Sequence, residues 1–348
     1  MIEQRMQRPV RIASIMVIIG GVFALLIIAK DFLIPIVIAG ILAYTTIALS
    51  GEIKKNVWLA GKHLPQWLTH IISILIIGSI AYVIWMIIGL HISALAARVP
   101  FYQSQLLEVL GTMNSNFTSH LSEALTKIDI GGMITNIAGS VANIGSKVVL
   151  VMIYTVFIII EFPFIKNKIN YLFLGHESQK QQTQNVLSYI VRDINAYFRI
   201  KTLASLMTAL LCYIVLLAFN IDFPLFWTLI IFLLNFIPTI GSIIAVFFPS
   251  LLALVQFASL GRFTIVLVLL IVAQLFIGNF VEPRIAGRML NISPLVIILA
   301  LVCAGALWGV VGMIISVPVI IVVKIIAEQF PETKLISVLL SRDGTHKQ

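Results

Sequence analysis

Six apolar runs, residues 12–29, 32–49, 68–92, 148–165, 202–219 and 263–280, constrain this chain more than any other feature. Each has about the 17–25 residues that a bilayer-crossing helix needs. In hydrocarbon the backbone must satisfy its own hydrogen bonds, and continuous apolar runs do so as helices. The chain is 60% hydrophobic and 11% charged, against about 45–50% and about 25% in soluble domains. A cytosolic enzyme is excluded. The expected fold is an all-α polytopic membrane protein with about six full spans. Cys212 and Cys303 both lie inside apolar runs, so neither a disulfide framework nor a metal site is expected.

The net charge of +9 is distributed by side. Arg5, Arg8 and Arg11 precede the first run, and Lys54, Lys55 and Lys62 follow the second. The stretch between the fourth and fifth runs carries Lys166, Lys168, Lys180, Arg192, Arg199 and Lys201. Basic residues concentrate on the cytoplasmic side, which places both termini there. The outer segments then hold five basic and five acidic residues, so the entire +9 excess lies inside. This pattern excludes nucleic acid as the partner and makes the bilayer the reason for the charge. The first run lacks a small-x-small cleavage site. Lys30-Asp31 leads directly into the second run, so a tight helical hairpin is expected.

Residues 93–147 are too polar to span. Leu106, Leu110, Met113, Phe117, Leu121 and Leu125 recur at steps of three or four, the spacing of an amphipathic helix. After Gly131-Gly132 the pattern restarts at Ile137, Val141, Ile144 and Val148. A small outer helical cap is expected, with its apolar stripe assembling a homo-oligomer. On the inner side, Val186, Ile190, Ile194 and Tyr197 form a stripe beside Arg192 and Arg199, as in a helix lying on anionic headgroups. The chain divides into a three-span unit (1–92), the cap (93–147), a fourth span with a basic loop (148–201), a transport core (202–327) and a tail (328–348).

Within the core, residues 225–236 are apolar but reach only about 18 Å as a helix, short of the ~30 Å hydrocarbon core. Ile237-Pro238-Thr239-Ile240-Gly241 follows, and the apolar pattern then resumes past Pro249. Proline and glycine favour a break and a reversal at this point. A second segment has the same layout: Pro294 opens it, Gly305, Gly309 and Gly312 interrupt it, and Pro318 follows. The proline spacings match, 25 residues from Pro224 to Pro249 and 24 from Pro294 to Pro318. Each segment follows one full span, and those spans run in opposite directions. Two inverted re-entrant helical hairpins are therefore expected, a plan known from secondary transporters. Their tips are expected to meet near the midplane and gate a shared solute site. The plainer alternative is two ordinary hairpins with packing glycines, Gly305 and Gly309 forming a small-xxx-small pair.

Polar residues at membrane depth supply the candidate site. Asn235, Thr239, Ser242, Gln274 and Asn279 can bind a small polar solute without fixed charge. Pro238, Gly241, Gly305, Gly309 and Gly312 would shape and gate the tips. Glu282 with Arg284 or Arg288 reads as a structural ion pair or as a coupling site for a proton or sodium ion. Catalytic motifs are missing. Gly61-Lys62 is followed by His63 and lacks a nucleotide loop's upstream glycine, and His176-Glu177 has Lys180 where a zinc protease needs histidine. Asn116-Phe117-Thr118 is only a formal sequon. No enzymatic activity and no cofactor are expected.

The same core resembles the autoinducer-2 exporter family of bacterial permeases. The matching elements are Lys201-Thr202 with Ser205 and Thr208, Leu234 through Ser242, Gly278-Asn279 with Glu282-Pro283-Arg284, Gly287-Arg288, and Gly312-Met313 through Ser316-Val317-Pro318. The resemblance runs over most of the chain and is strongest at residues 201–341. It implies an inner-membrane location, oligomeric assembly, and export or exchange of small solutes. Members differ in substrate, with a furanosyl quorum signal in some and sodium and protons in others. The reading is a secondary exporter of a small polar solute, autoinducer-2 being the solute the resemblance suggests. Sodium- or potassium-proton antiport is the alternative within transport, and a membrane scaffold or sensor the alternative outside it.

Overall fold

A computed structural model describes residues 14, 16–18, 20–59, 64–112, 147–164, 167, 168, 171, 177–286, 291–330 and 333–342. Among the described residues there is no strand. The helices are α1 (Met16–Ile28), α2 (Lys30–Leu59), α3 (Gln66–Thr112), α4 (Lys147–Phe164), α5 (Glu177–Ala218), α6 (Pro224–Leu234) and α7 (Ile240–Phe257). They continue with α8 (Leu260–Phe276), a π-helical turn (Ile277–Val281), α9 (Glu282–Ala286), α10 (Pro294–Gln329) and α11 (Lys334–Leu340). Seven helices among the described residues are long and apolar enough to cross a membrane. The protein is an all-helical, multi-pass membrane protein.

Two helices are longer than the hydrophobic runs within them. α3 has 47 residues, about 70 Å of helix, so the start of the expected cap is a continuation of the third span. The helix passes Pro100 without ending. Residues 113–146, most of the cap, lie outside the described residues. α5 likewise joins the basic loop to the fifth span in one helix of 42 residues. Its stripe of Val186, Ile190, Ile194 and Tyr197 packs on Val317, Ile321 and Ile325 of α10. The interfacial-helix expectation is thereby corrected. An apolar stripe suits lipid or protein equally, and in this fold α10 covers it.

Among the described residues, ion pairs join segments that the charge pattern assigns to the same side. Lys147 meets Asp31 at 2.8 Å and Arg98 meets Asp222, all on the expected outer side. Lys201 meets Glu282 at 2.9 Å on the expected inner side. At the corner between α5 and α6, Tyr102 donates to Asp222 at 2.8 Å. Gln256 accepts from the Asp222 N–H and donates to the Asn220 carbonyl, both at 2.8 Å.

Prolines open both hairpins. Pro224 and Pro294 stand at the first turn of α6 and α10, where the missing N–H costs nothing and the fixed φ suits a helix start. Hairpin one is α6 and α7. Hairpin two is α10 itself, whose helical path breaks at Gly309 (φ 61°, ψ −139°). The hairpins occupy different stretches of α5. Phe226, Ile231 and Ala245 of hairpin one share a core with Ala209, Cys212 and Leu216. Hairpin two packs on the Val186–Phe198 stretch instead.

Candidate functional site

Both tips are closed by a glycine seated on a backbone carbonyl. A Cβ on Gly241 would stand inside the contact radius of the Leu234 carbonyl oxygen, and one on Gly312 inside that of Ala304. Residues 304 and 312 would be about 12 Å apart along a straight helix, so their contact shows that the chain doubles back. Gly305 faces the flexible Met313 side chain, 2.9 Å from where its Cβ would be. Pro238 lies in the break between α6 and α7, one residue before Thr239, which takes φ 59°. Positive φ is a genuine outlier for a β-branched residue.

Asn235 is buried at the end of α6. Its Oδ1 accepts from Gln274 Nε2 of α8 at 2.7 Å. This amide pair clips the tip of hairpin one to α8, and Gln274 Oε1 is left buried without a partner. The other solute candidates separate from this pair. Ser242 donates to the Thr239 carbonyl at 2.7 Å, a local cap for the turn. Thr239 is exposed, and so is Asn279 on the π-helical turn.

Glu282 does not pair with Arg284, which is exposed; Arg288 lies outside the described residues. Its carboxylate takes Lys201 of α5 at 2.9 and 3.3 Å. Residues two apart on a helix do not face each other, whereas Lys201 comes from the helix packed opposite. Tip one is bonded to α8, and tip two reaches α1, where Trp308 Nε1 donates to the Leu26 carbonyl at 3.0 Å. That carbonyl lies in the last turn of α1, three residues before Ala29, the single residue between α1 and α2.

The candidate residues did not include the Tyr197–Lys201–Ser205 face of α5, where Lys201 pairs with Glu282 and the Tyr197 and Ser205 hydroxyls are buried without a partner. The spacing of four is the signal that one face of α5 is polar. A cavity of about 450 Å³ opens elsewhere, between α2, α5 and α10, lined by Ile41, Tyr44, Ile194, Phe198, Trp308 and Pro318 among others. Its walls are largely apolar.

These features define a class: a multi-pass helical membrane protein with polar groups gathered between helices and two reversals within its apolar core. The model of the AI-2E family transporters matches residues 13–332, and the chain belongs to that family. It is 33% identical over 254 residues to a putative transport protein of Borreliella burgdorferi, covering 72% of this chain and 69% of the relative. It is 32% identical over 209 residues to the AI-2 transport protein TqsA of Escherichia coli K12, covering 60% and 59%. A putative transport protein of Haemophilus influenzae is 27% identical over 342 residues, 94% of each chain. The protein is a membrane transporter.

Proposed function

We propose that this chain is a secondary transporter exporting a small polar solute across the bacterial inner membrane by alternating access. The observation that carries the reading is the Asn235–Gln274 pair. It holds the unwound tip of hairpin one against α8 and keeps an unpartnered amide oxygen inside the apolar core. Irregular backbone is tolerated at membrane depth only where protein or a water-filled cavity covers it. Autoinducer-2 is the solute to test first, because the Escherichia coli relative is named for its transport. The hairpins are re-entrant in this reading, entering from opposite sides, and their unit moves against the first three spans, α1 to α3. Both termini are cytoplasmic, residues 93–147 are outside, and the chain assembles as a homo-oligomer.

A second reading, cation–proton antiport, draws on the partly buried Lys201–Glu282 pair. Flux of labelled autoinducer-2 in proteoliposomes, with pH and sodium gradients imposed in turn, separates the two. Autoinducer-2 movement supports the export reading. Proton movement driven by sodium alone, with no autoinducer-2 flux, replaces it. Ser115→Cys in a cysteine-free background should react with an impermeant reagent in intact cells or spheroplasts; labelling only after lysis reverses the topology.

A further inference from the structure

Buried hydroxyls on these helices share a habit that Ser205 does not. Thr46, Ser73, Thr155, Thr208 and Ser250 each donate to the carbonyl one turn back, at 2.7–2.9 Å. Ser205 is 1% exposed, yet its hydroxyl has no hydrogen-bond partner. The Tyr197 hydroxyl and Gln274 Oε1 are buried in the same condition. Leaving such groups unpaired is costly, more so than removing them. Three of them along one helix pair call for an occupant.

The register strings them along one seam. α5 and α8 run antiparallel, with Lys201 on Glu282 at one end and Asn220 beside Gln256 near the other. Tyr197, Lys201 and Ser205 lie on one face of α5, spanning about 12 Å. Counting one turn from the Lys201–Glu282 pair along antiparallel helices brings Ser205 level with the π-helical turn, Ile277–Val281, and Gln274 a turn beyond it. Within that turn Gly278 leaves room, since a Cβ there would meet nothing within 4 Å. Single π-turns inside helices recur at functional sites.

We infer that the seam of Tyr197, Lys201, Ser205, Gln274 and Glu282, beside the π-helical turn, binds a small neutral solute carrying several hydroxyl or carbonyl groups. The inference rests on the transport reading and names its site and solute class. The charges of Lys201 and Glu282 balance, so a cation meets the ammonium and an anion meets the carboxylate. A neutral hydroxylated molecule can use both. Ser205 and Tyr197 each donate and accept, and Gln274 Oε1 accepts. The largely apolar cavity between α2, α5 and α10 holds one such unpartnered group, the Tyr44 hydroxyl, against three along the seam.

The test uses the full chain with Cys212→Ala, Cys303→Ala and Ser205→Cys, reconstituted in proteoliposomes. A small methanethiosulfonate should label the new thiol, and millimolar autoinducer-2, ribose or erythritol should slow labelling by roughly threefold or more. Sodium chloride and sodium acetate should not. Absent labelling, or protection by the salts alone, overturns the inference. Ser205→Ala supplies a second readout. Removing an orphaned hydroxyl should leave the melting temperature unchanged or raised, while affinity for the protecting solute falls about 3- to 10-fold. A lowered melting temperature with unchanged affinity assigns Ser205 a packing role and overturns the site. Wild-type autoinducer-2 flux without protection leaves transport standing and removes the site. Protection without flux of any protecting solute does the reverse.

Discussion

Hairpin one turns at a threonine and hairpin two at a glycine, and the surroundings of each tip differ to match. Thr239 holds φ 59° and Gly309 holds φ 61°. For glycine that angle carries no Cβ penalty, whereas for threonine it costs about 1–3 kcal/mol and persists only where neighbours over-determine it. Tip one has such neighbours. Ser242 caps the Thr239 carbonyl, Gln274 clips Asn235, and Gly241 seats on Leu234. Tip two has a lighter set, the Gly312 contact on Ala304 and one indole bond to α1. Hairpin one is thus a strained tip held by polar contacts, and hairpin two a relaxed tip held mainly by packing.

The feature the hairpins share should give the largest effect. Gly241→Val and Gly312→Val each place side-chain atoms on a backbone carbonyl that cannot rotate away. Overpacking costs about 1–3 kcal/mol where side chains can yield, and here the obstacle is backbone. Both variants should lose transport in proteoliposomes and melt several degrees lower, while still inserting in the membrane. Gly305→Val meets only the mobile Met313 side chain and should lose less. Wild-type flux from Gly241→Val and Gly312→Val would mean that the reversals are dispensable.

The polar clip separates the two tips at intermediate magnitude. Asn235→Ala leaves the Gln274 amide buried with neither of its polar atoms paired, a loss of about 1–3 kcal/mol. Trp308→Phe removes one half-buried hydrogen bond from tip two, worth about 0.5–1.5 kcal/mol. Thermal unfolding in mild detergent should therefore place Asn235→Ala below Trp308→Phe. Solute affinity should fall more for Asn235→Ala than its expression does. The opposite order would assign the more demanding contact to tip two.

The helix breaks were legible in the sequence because proline and glycine act locally. Pro224 and Pro294 suit the first turn of a helix, and Pro238, Gly241 and Gly309 favour turns by backbone rules, although Pro100 sits inside α3 without ending it. Partner choice was not legible. The stripe from Val186 to Tyr197 carries no sign of whether lipid or α10 covers it. Glu282 has Arg284 two residues away, yet its partner Lys201 lies 81 residues away in sequence. Among the candidate solute residues, Asn235 and Gln274 meet each other in the fold. Thr239 and Asn279 share that polarity but are exposed, and burial is decided by packing between helices that periodicity does not reveal. Ser205 was visible as a motif residue. Only the fold shows that its hydroxyl, unlike that of Thr208, makes no bond to its own helix.

The smallest effect tests the strain itself. Thr239→Gly gives tip one the residue type that tip two already uses at the same positive φ. Relief of about 1–3 kcal/mol of strain is offset by the greater entropy glycine loses on folding, about 0.5–1 kcal/mol. The net change should be a stabilisation of about 1 kcal/mol, a rise of a few degrees in a chain of this size. Thr239 is exposed and its carbonyl, which glycine keeps, is what Ser242 caps, so the cap survives the change. If the strain only shapes the turn, flux should be unaltered as stability rises. If it poises the tip to move, Thr239→Gly should slow turnover while solute affinity holds, and Gly309→Ala should not reproduce that pattern, because it adds strain where the fold has none. A destabilised Thr239→Gly would show that the methyl and hydroxyl hold the turn, and the distinction between a strained and a relaxed tip would fall.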